Sequence, residues 1–398
     1  MKDIGPFAGI RILDLATALA GPWAAGILAD QGADVIKIEV PGFGDILRYM
    51  GPSKNGITAI FQNVNRGKRS LALNLKSPKG LDIFKKLVET ADVVIHNFRP
   101  GVAERLGIDY SSLKKIKDNL IYLSVTGFGD EGPYAHKAAW DNVIQAFSGV
   151  AQSQANAETG EPIQYNQIFA DKLSALTGSQ AISAALYARE RGKGGQHIKL
   201  AMVDSIVSFL WGDVGAEAAF VDKTGVTQAA PLAKGVKLMR FKDGWAQVAP
   251  VSDAEFFGLC RAFDVSVEGD ARLANVVARM QNMAAMQELF VKINAIALEI
   301  PVDLGIARLE EQDVPCARAM CLDDLPSHPQ MQANGTFGIT HHPTAGDMVE
   351  PRNPPKFSQT PTQIGAPAPG LGQHTEEILL EIGLANSLNS LRAEQAIG

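Results

Sequence analysis

The chain has 398 residues and a mass of 42.5 kDa, which predicts two or three domains, and 46% hydrophobic against 20% charged residues predicts folded cores rather than disorder. Its 37 Lys and Arg and 43 Asp and Glu give a net charge of −6, which argues against a dedicated nucleic-acid-binding protein. With no apolar run long enough for a membrane helix, no secretory signal in the first residues, and three widely spaced cysteines, we expect a cytoplasmic enzyme with no metal and no membrane partner.

Strand-like and helix-like segments alternate through the first third of the chain. Strands are predicted at residues 9–15, 33–39, 70–75, 91–96 and 120–125. A buried helix over 18–30 ends at Gly32, and a second helix begins at Ser77 and Pro78, which suit the cap and the first turn. Short strands separated by helical lengths predict crossover connections and a mostly parallel sheet, with ligands beyond its carboxyl edge.

The middle of the chain predicts a second domain. A long helix over 172–191 and a strand over 196–200 lead to a further helix from about Met202. After residue 225 the pattern becomes one strand, Trp245–Val248, followed by almost continuous helical pattern over 252–311. We therefore predict an α/β fold in which a large domain, 1–225, precedes a smaller α+β domain, 226–325.

The remaining segment, 326–398, predicts a linker and a terminal helix. Residues 346–370 are rich in Pro and Gly, which indicates extended chain. A helix follows over 375–380, with Glu376 and Glu377 in its first turn.

Residues Gly127–Gly132 form a literal G-x-G-x-x-G after a predicted strand. The dinucleotide fingerprint requires a helix to open at this point, but Pro133 and Tyr134 follow instead. Nicotinamide binding is one interpretation. A glycine turn that lets backbone amides approach another ligand is the favoured one.

Asp171 is the acid that carries the most information. It precedes the long predicted helix, so it suits the N-cap, and the periodicity favours that role. The alternative is a functional carboxylate whose ionised form the helix N-terminus stabilises, since an Asp with a pKa of about 4 needs no base to act as a nucleophile. Ser174 and Gly178 keep this end of the helix narrow, which predicts room for a bulky ligand.

Basic residues cluster between positions 66 and 105: Arg66, Lys68, Arg69, Lys76, Lys79, Arg99 and Arg105. Two interpretations remain open for them. They belong either to solvated faces or to a site for phosphate groups.

From end to end the chain resembles the class III coenzyme A transferases, the family that includes formyl-CoA and carnitine CoA transferases. The segments that carry the resemblance are Arg11–Leu15, Ala20–Pro22, Gly32–Glu39, Asn65–Ser70, Leu73–Lys76, Asn97–Gly101, Val125–Gly129, Gly132–Tyr134, Asp171, Val314–Ala317 and Leu371–Thr375. Together and in this order they are specific for the superfamily.

The resemblance implies a Rossmann-like large domain made from both chain ends, a small inserted domain, and two subunits interlocked as rings in a homodimer. It implies that Asp171 is the catalytic carboxylate and that acyl-CoA and a carboxylic acid are the substrates, with no permanently bound cofactor. The CoA contacts that it implies are Leu73, Lys76, Asn97, Phe98, Arg99, Arg105 and Lys137. Gly127, Gly129 and Trp140 are the residues expected at the acyl pocket or at the oxyanion.

The sequence departs from the family at two places. Glu39-Val40 stands where some relatives have an acid followed by Arg, so one adenine or phosphate contact is missing. Pro231–Gly235 stands where formyl-CoA transferase has a multi-glycine loop, which argues against oxalate as the substrate.

In the implied mechanism Asp171 forms an aspartyl-acyl anhydride and then an aspartyl-CoA thioester, which keeps every intermediate near the energy of a thioester. The nearest rival is an α-methylacyl-CoA racemase of the same fold. That branch calls for His-Asp where this chain has Trp140-Asp141, and an indole accepts no proton. A nicotinamide oxidoreductase and a non-catalytic CoA-binding protein are the more distant alternatives.

Overall fold

The computed structural model describes residues 4–227 and 236–398. The chain divides into a large unit, which combines the described residues up to 227 with those from Gln330 onward, and a small unit, which covers the described residues from 236 to Pro329. Pro231–Gly235, the segment expected in place of a glycine loop, lies outside the described residues.

A six-stranded parallel sheet forms the centre of the large unit, in the order β5-β2-β1-β6-β7-β8. In chain order the strands are β1 (Arg11–Asp14), β2 (Asp34–Glu39), β3 (Ser53–Lys54), β4 (Ile57–Thr58), β5 (Arg69–Ala72), β6 (Val93–His96), β7 (Ile121–Thr126) and β8 (Gln196–Ala201). The short strands β3 and β4 form a separate antiparallel pair. The predicted parallel sheet and its strands are thereby confirmed.

Helices cover both faces of this sheet. They are α1 (Ala20–Asp30), α2 (Ala59–Asn65), α3 (Pro78–Thr90), α4 (Val102–Leu106), α5 (Tyr110–Leu113), α6 (Asp141–Phe147), α7 (Val150–Ser153), α8 (Phe169–Ala188) and α9 (Met202–Trp211). Successive residues of β1 point to opposite faces, so that Ile12 joins the apolar core on the side of α1 and α8 while Leu13 joins the core on the side of α3.

The start of α3 follows the sequence prediction. The Ser77 hydroxyl accepts a hydrogen bond from the Gly80 amide at 3.0 Å, and Pro78 occupies the first turn, where its missing N–H costs nothing. Ile83, Phe84 and Leu87 are buried on the face that the helical spacing predicts.

The small unit contains a three-stranded antiparallel sheet packed against helices. Its strands are β9 (Met239–Arg240), β10 (Trp245–Val248) and β11 (Cys316–Arg318), and its helices are α10 (Asp253–Ala262), α11 (Val276–Gln281), α12 (Met283–Ala297) and α13 (Val302–Glu310). Ser252 and Glu255 form a reciprocal capping box at the start of α10. Phe241, Phe256 and Phe263 are fully buried in the core of the small unit.

The prediction of an extended linker from residue 346 is wrong at its beginning. The segment after α14 (Pro329–Asn334) forms a hairpin of β12 (Phe337–His342) and β13 (Gly346–Pro351), paired along their whole length. The buried Glu350 carboxylate accepts hydrogen bonds from Gln62 and Thr340, which fix the hairpin. The contact of Glu350 with Gln62, far away in the sequence, therefore outweighs the local Gly and Pro content, which predicts extended chain.

The last residues return to the sheet. After α15 (Thr375–Glu381) and α16 (Leu388–Ala393), the amides of His374 and Gly398 donate to the carbonyls of Ser70 and Ala72 on the outer side of β5. Ile397 forms a bridge with Leu73. Among the described helices, none combines the length and the apolarity needed to cross a bilayer.

Candidate active site

Three loops meet beyond the carboxyl ends of the parallel strands, where ligands bind in such sheets. The loop after β1 contains Thr17 and Ala18, the loop after β6 contains Asn97 to Pro100, and the loop after β7 contains Gly127. The first turn of α8 brings Asp171 to the same place, so that these loops and Asp171 line one cavity.

Asp171 is not the helix cap that its sequence position predicts. Helix α8 begins two residues earlier, at Phe169, and Asp171 lies in its first turn. The Asp171 amide donates to Asp141 Oδ1 at 3.0 Å, and Asp141 Oδ2 accepts a bond from Gln145 Nε2. Asp141 therefore accepts a hydrogen bond from an amide in the first turn of α8, as a cap does. The carboxylate of Asp171 is available for another role.

The pKa of the Asp171 carboxyl is raised from 3.8 to about 7. Burial is the main cause and the charge of Asp141 the second, while a hydrogen bond from the Ala20 backbone opposes them. The expected stabilisation of an ionised Asp171 by the helix N-terminus is thus outweighed. A carboxyl poised near neutral pH beside a second carboxyl is typical of a functional group rather than of a cap.

Three neighbouring cavities share their walls. The edge cavity, about 390 Å³, is lined by Leu73, Lys76, Phe98 and Arg105 among others. The central cavity, about 180 Å³, is lined among others by Asn97, Phe98, Arg99, Gly127, Lys137, Trp140 and Asp171. The wide cavity, about 530 Å³, is lined by Leu19, Met50, Gln145, Trp140 and Asp171 among others.

The shared walls connect the three cavities in a row. Thr17 and Phe98 line both the edge and the central cavity, and Trp140 and Asp171 line both the central and the wide cavity. All the predicted CoA contacts lie on the edge or the central cavity. Asp171 lies where the central cavity meets the wide cavity.

Two of the central-cavity residues are held by local contacts. The Lys137 ammonium lies 4.3 Å from the ring centre of Tyr134 and 5.7 Å from that of Phe128, a cation–π arrangement that fixes its position. The Asn97 side chain donates to the Thr17 carbonyl at 2.7 Å and accepts from the Thr17 amide at 3.0 Å. Asn97 therefore also holds the loop after β1.

The seven residues of the predicted phosphate cluster divide into three groups, one of which is Lys79 alone, exposed on α3. Inside the large unit, Arg66 pairs with Asp30 and Lys68 with Asp14 as buried ion pairs, and the buried Arg69 pairs with the partly exposed acids Asp34 and Glu381. Neither of the two interpretations, solvated face or phosphate site, holds for these three residues. Lys76, Arg99 and Arg105 line the cavities instead.

Two expectations about small residues also need correction. Gly178 lies close to Leu123 and Ala24, and Ser174 is buried, so the narrow face of α8 admits helix α1 and the sheet rather than a bulky ligand. Gly127 lines the central cavity, but the Gly129 amide donates to Thr126 Oγ1 at 3.1 Å. No helix opens after Gly132, which agrees with the rejection of a dinucleotide fingerprint.

Glu39, at the departure from the family pattern, is buried and bonded to Arg48 at 2.7 Å and to Ser70 at 2.7 Å. Trp140 remains 64% exposed at the boundary between the central and the wide cavity. Among the described residues there is no group of three or more side chains suited to a metal ion.

Sequence reasoning missed the role of Asp141, which it considered only as the partner of Trp140. It also missed the buried charges of Asp14, Lys37 and Asp45 beneath the loop after β1. A signal for these existed, because Lys37 interrupts an apolar strand and a charge there needs a partner.

Comparison with known proteins gives consistent results. The family described as CoA-transferase family III matches residues 7–375. A succinate–glutarate CoA-transferase of Agrobacterium fabrum is 33% identical over 388 residues, covering 95% of this chain and 96% of the relative. A formyl-CoA:oxalate CoA-transferase of Rhodopseudomonas palustris is 30% identical over 94% of this chain and 92% of its own length. A CAIB/BAIF family protein from Brucella suis has a solved structure that matches with a TM-score of 0.82 and 32% identity, over 95% of this chain and all of that one.

Proposed function

The chain belongs to CoA-transferase family III and is a CoA transferase, and on this premise we propose that it moves coenzyme A from an acyl-CoA thioester to a free carboxylic acid through covalent intermediates on Asp171. The observation that carries the proposal is the position of Asp171 at the junction of the central and the wide cavity. The edge cavity, at the other end of the row, is lined by the cations Lys76 and Arg105.

The edge and central cavities suit coenzyme A. Lys76 and Arg105 supply cations at the edge cavity for the nucleotide phosphates, and apolar side chains such as Leu73 and Phe98 offer surface for the adenine. Arg99 and Lys137 continue the positive charge along the central cavity. The thioester of a molecule extended along this row would reach Asp171, with the acyl group directed to the wide cavity.

The chemistry balances without any further reactant. The Asp171 carboxylate attacks the donor thioester carbonyl, which forms an anhydride and releases the CoA thiolate. The thiolate then attacks the aspartyl carbonyl, which gives aspartyl-CoA and releases the donor acid with one oxygen from Asp171. The acceptor carboxylate repeats the two steps in reverse order.

The environment of Asp171 supports this role. A carboxylate whose charge is destabilised by burial and by Asp141 is a better nucleophile than an ordinary Asp, and its proton is lost near neutral pH. The Gly127 segment, whose backbone borders the central cavity, is where we place the groups that face the developing oxyanion.

The racemase alternative is not favoured. Trp140 stands at the position where that branch would need a base, and an indole N–H donates but does not accept a proton. The relatives reported above are named CoA transferases. The name of the Agrobacterium fabrum relative makes succinyl-CoA with glutarate the first pair of substrates to test.

We further propose a cytoplasmic, interlocked homodimer in which residues 1–225 and 326–398 form the large domain and 226–325 the small one. Large apolar side chains remain exposed on α8 and α9 of the single chain, including Leu176, Tyr187, Phe209 and Trp211, and a partner subunit would cover them. Light scattering measures this state directly, and a monomer at micromolar concentration would contradict it.

The decisive experiment follows the oxygen atoms. The enzyme is incubated with an acyl-CoA and with an acid labelled with heavy oxygen in its carboxylate. The proposed path leaves one labelled oxygen in the Asp171 carboxylate after a single turnover and two after many turnovers, which mass spectrometry of the peptide detects. It leaves none in the Asp141 carboxylate. Transfer without label in Asp171, or transfer that survives in Asp171→Ala and Asp171→Asn, would remove Asp171 from the role of nucleophile.

The same preparation separates transferase from racemase. A 2-methylacyl-CoA incubated in heavy water should keep its α-hydrogen while a labelled free acid enters the thioester pool. Deuterium incorporation at the α-carbon at turnover rates, without exchange of the acid, would favour the racemase.

A further inference from the structure

Four charged side chains lie buried beneath the loop after β1. Asp14, Lys37, Asp45 and Lys68 each have a side-chain exposure of 0%. Lys37 Nζ lies 2.8 Å from Asp45 Oδ2, and Lys68 Nζ lies 2.8 Å from Asp14 Oδ2. We call these four residues the buried charge network.

The network binds the backbone of the loop at three atoms. Asp14 Oδ1 accepts from the Ala16 amide at 3.0 Å, Lys37 Nζ donates to the Ala16 carbonyl at 3.0 Å, and Asp45 Oδ1 accepts from the Ala18 amide at 3.1 Å. Lys68 Nζ also donates to the Pro22 carbonyl at 2.6 Å, in the first turn of α1. The charges thus hold both ends of the segment from Ala16 to Pro22.

The held segment has a backbone conformation that its residues do not favour alone. Ala18 has a φ of 63°, in the left-handed region that non-glycine residues rarely adopt. Such a conformation persists only where the surroundings fix it. Here the Ala18 amide donates a hydrogen bond to Asp45. Both the amide and the carbonyl of its neighbour Thr17 are hydrogen-bonded to the Asn97 side chain.

The same segment forms part of the candidate active site. Ala18 lines both the central and the wide cavity, and a backbone hydrogen bond from Ala20 to the Asp171 carboxyl lowers its pKa against the larger effects of burial and Asp141. Ala20 lines the central cavity together with Asp171, so a displacement of the segment would change the surroundings of the Asp171 carboxyl.

We propose that Lys37 and Asp45 are positioning residues, which hold the loop after β1 in the conformation that places Ala18 and Ala20 on the wall of the central cavity, which Asp171 also lines. This inference rests on the proposed function of Asp171. A buried ion pair that only stabilised a core would be replaceable by apolar residues without loss, since removing two charges from water is costly. The bond of Lys37 to the Ala16 carbonyl and the bond of Asp45 from the Ala18 amide give this pair a role that apolar residues cannot take over.

The first test is Asp45→Asn, which removes the charge that faces Lys37. We expect kcat to fall by about tenfold, equivalent to about 1.4 kcal/mol of transition-state stabilisation. We also expect the pH profile of kcat/KM to shift to higher pH, because a displaced loop removes the Ala20 backbone, which lowers the pKa of Asp171, from its place in the central cavity. Asp141, Arg99 and Lys137, the charged groups that line the central cavity with Asp171, are unchanged in the variant. Since Asp45 also borders the edge cavity, KM for acyl-CoA is not the deciding measurement.

The double variant Lys37→Met with Asp45→Leu guards against simple misfolding, because it replaces the ion pair with apolar side chains of similar size. It leaves neither charge of the pair without its partner, so it should remain folded, although it should melt below the wild type because the Ala16 carbonyl and the Ala18 amide lose these partners. It should still show the lower kcat and the shifted profile. The matched control is Asp30→Asn, which breaks the buried pair with Arg66 that does not contact the loop. It should lower stability and leave the pH profile in place.

The outcomes are distinct. Folded network variants with the kcat and the pH profile of the wild type, while Asp171→Asn is inactive, would overturn this inference and leave the proposed function standing. Transfer activity in Asp171→Asn would overturn the proposed function itself. A shifted profile in the network variants and not in Asp30→Asn supports the inference.

Discussion

Replacing Asp171 by Asn should stabilise the protein, and it should do so only above about pH 4. The folded chain holds the Asp171 proton up to a pKa of about 7, whereas the unfolded chain releases it near 3.8. Between these two values the folded state binds more protons than the unfolded state, so the free energy of unfolding falls as the pH rises. The asparagine side chain neither titrates nor carries charge, so the variant avoids this loss.

The magnitude follows from the difference of about three pKa units. At ~1.4 kcal/mol per unit, the penalty on the wild type reaches at most about 4 kcal/mol once the pH exceeds the folded pKa. Asp171 is half-buried rather than fully enclosed, and solvent screens part of the effect, so we expect about 2 kcal/mol at about pH 8. Below the unfolded pKa both states are protonated, and the difference between wild type and variant should vanish.

The assay is urea unfolding of wild type and variant at a series of pH values between about 4 and 9. Asp204→Asn is the matched control, since Asp204 lies in the first turn of the neighbouring helix α9 but is exposed. It should lose about 0.3–1 kcal/mol through the helix dipole. A difference in the free energy of unfolding between wild type and Asp171→Asn that stays constant from about pH 4 to about pH 9 would refute the reasoning.

Three further predictions concern neighbouring residues. Lys76→Ala and Arg105→Ala should each raise KM for acyl-CoA more than they lower kcat, and dephospho-CoA should bind more weakly than CoA; steady-state kinetics with an unchanged KM would exclude both residues from the CoA site. Asp141→Asn should move the pH profile of kcat/KM to lower pH, because the charge of Asp141 raises the pKa of Asp171, and an unmoved profile would contradict that cause. Arg66→Ala should lower the free energy of unfolding in urea by about 3–5 kcal/mol, because it leaves the buried carboxylate of Asp30 unpaired, and it should leave KM unchanged. A variant as stable as the wild type would contradict the buried pair.

The sequence predicts those parts of the fold that depend on local pattern. The strands of the parallel sheet and helix α3 follow from short β-rich runs, helical spacing and the Ser77 cap, all of which act over a few residues. The role proposed for Asp171 comes from the family resemblance, because the helical pattern by itself favours a cap.

The features that the sequence did not predict depend on partners far along the chain. Arg66, Lys68 and Arg69 look like surface or phosphate-binding residues until the fold brings Asp30, Asp14 and Glu381 to them. The same holds for the pKa of Asp171, which depends on burial and on an acid thirty residues earlier. Local pattern carries no information on such pairs, since only the assembled sheet sets their distance.

The outer side of β5 is closed by residues that leave the ribosome about three hundred positions later than the strand itself. Until His374 and Gly398 are synthesised, the carbonyls of Ser70 and Ala72 stand without these partners on a strand that already belongs to the sheet. An unpaired strand edge is a template for association with other chains, and closing so long a loop slows the final step of folding. We therefore expect nascent chains halted before residue 374 to associate through this edge and to depend on chaperones in a way that the finished chain does not.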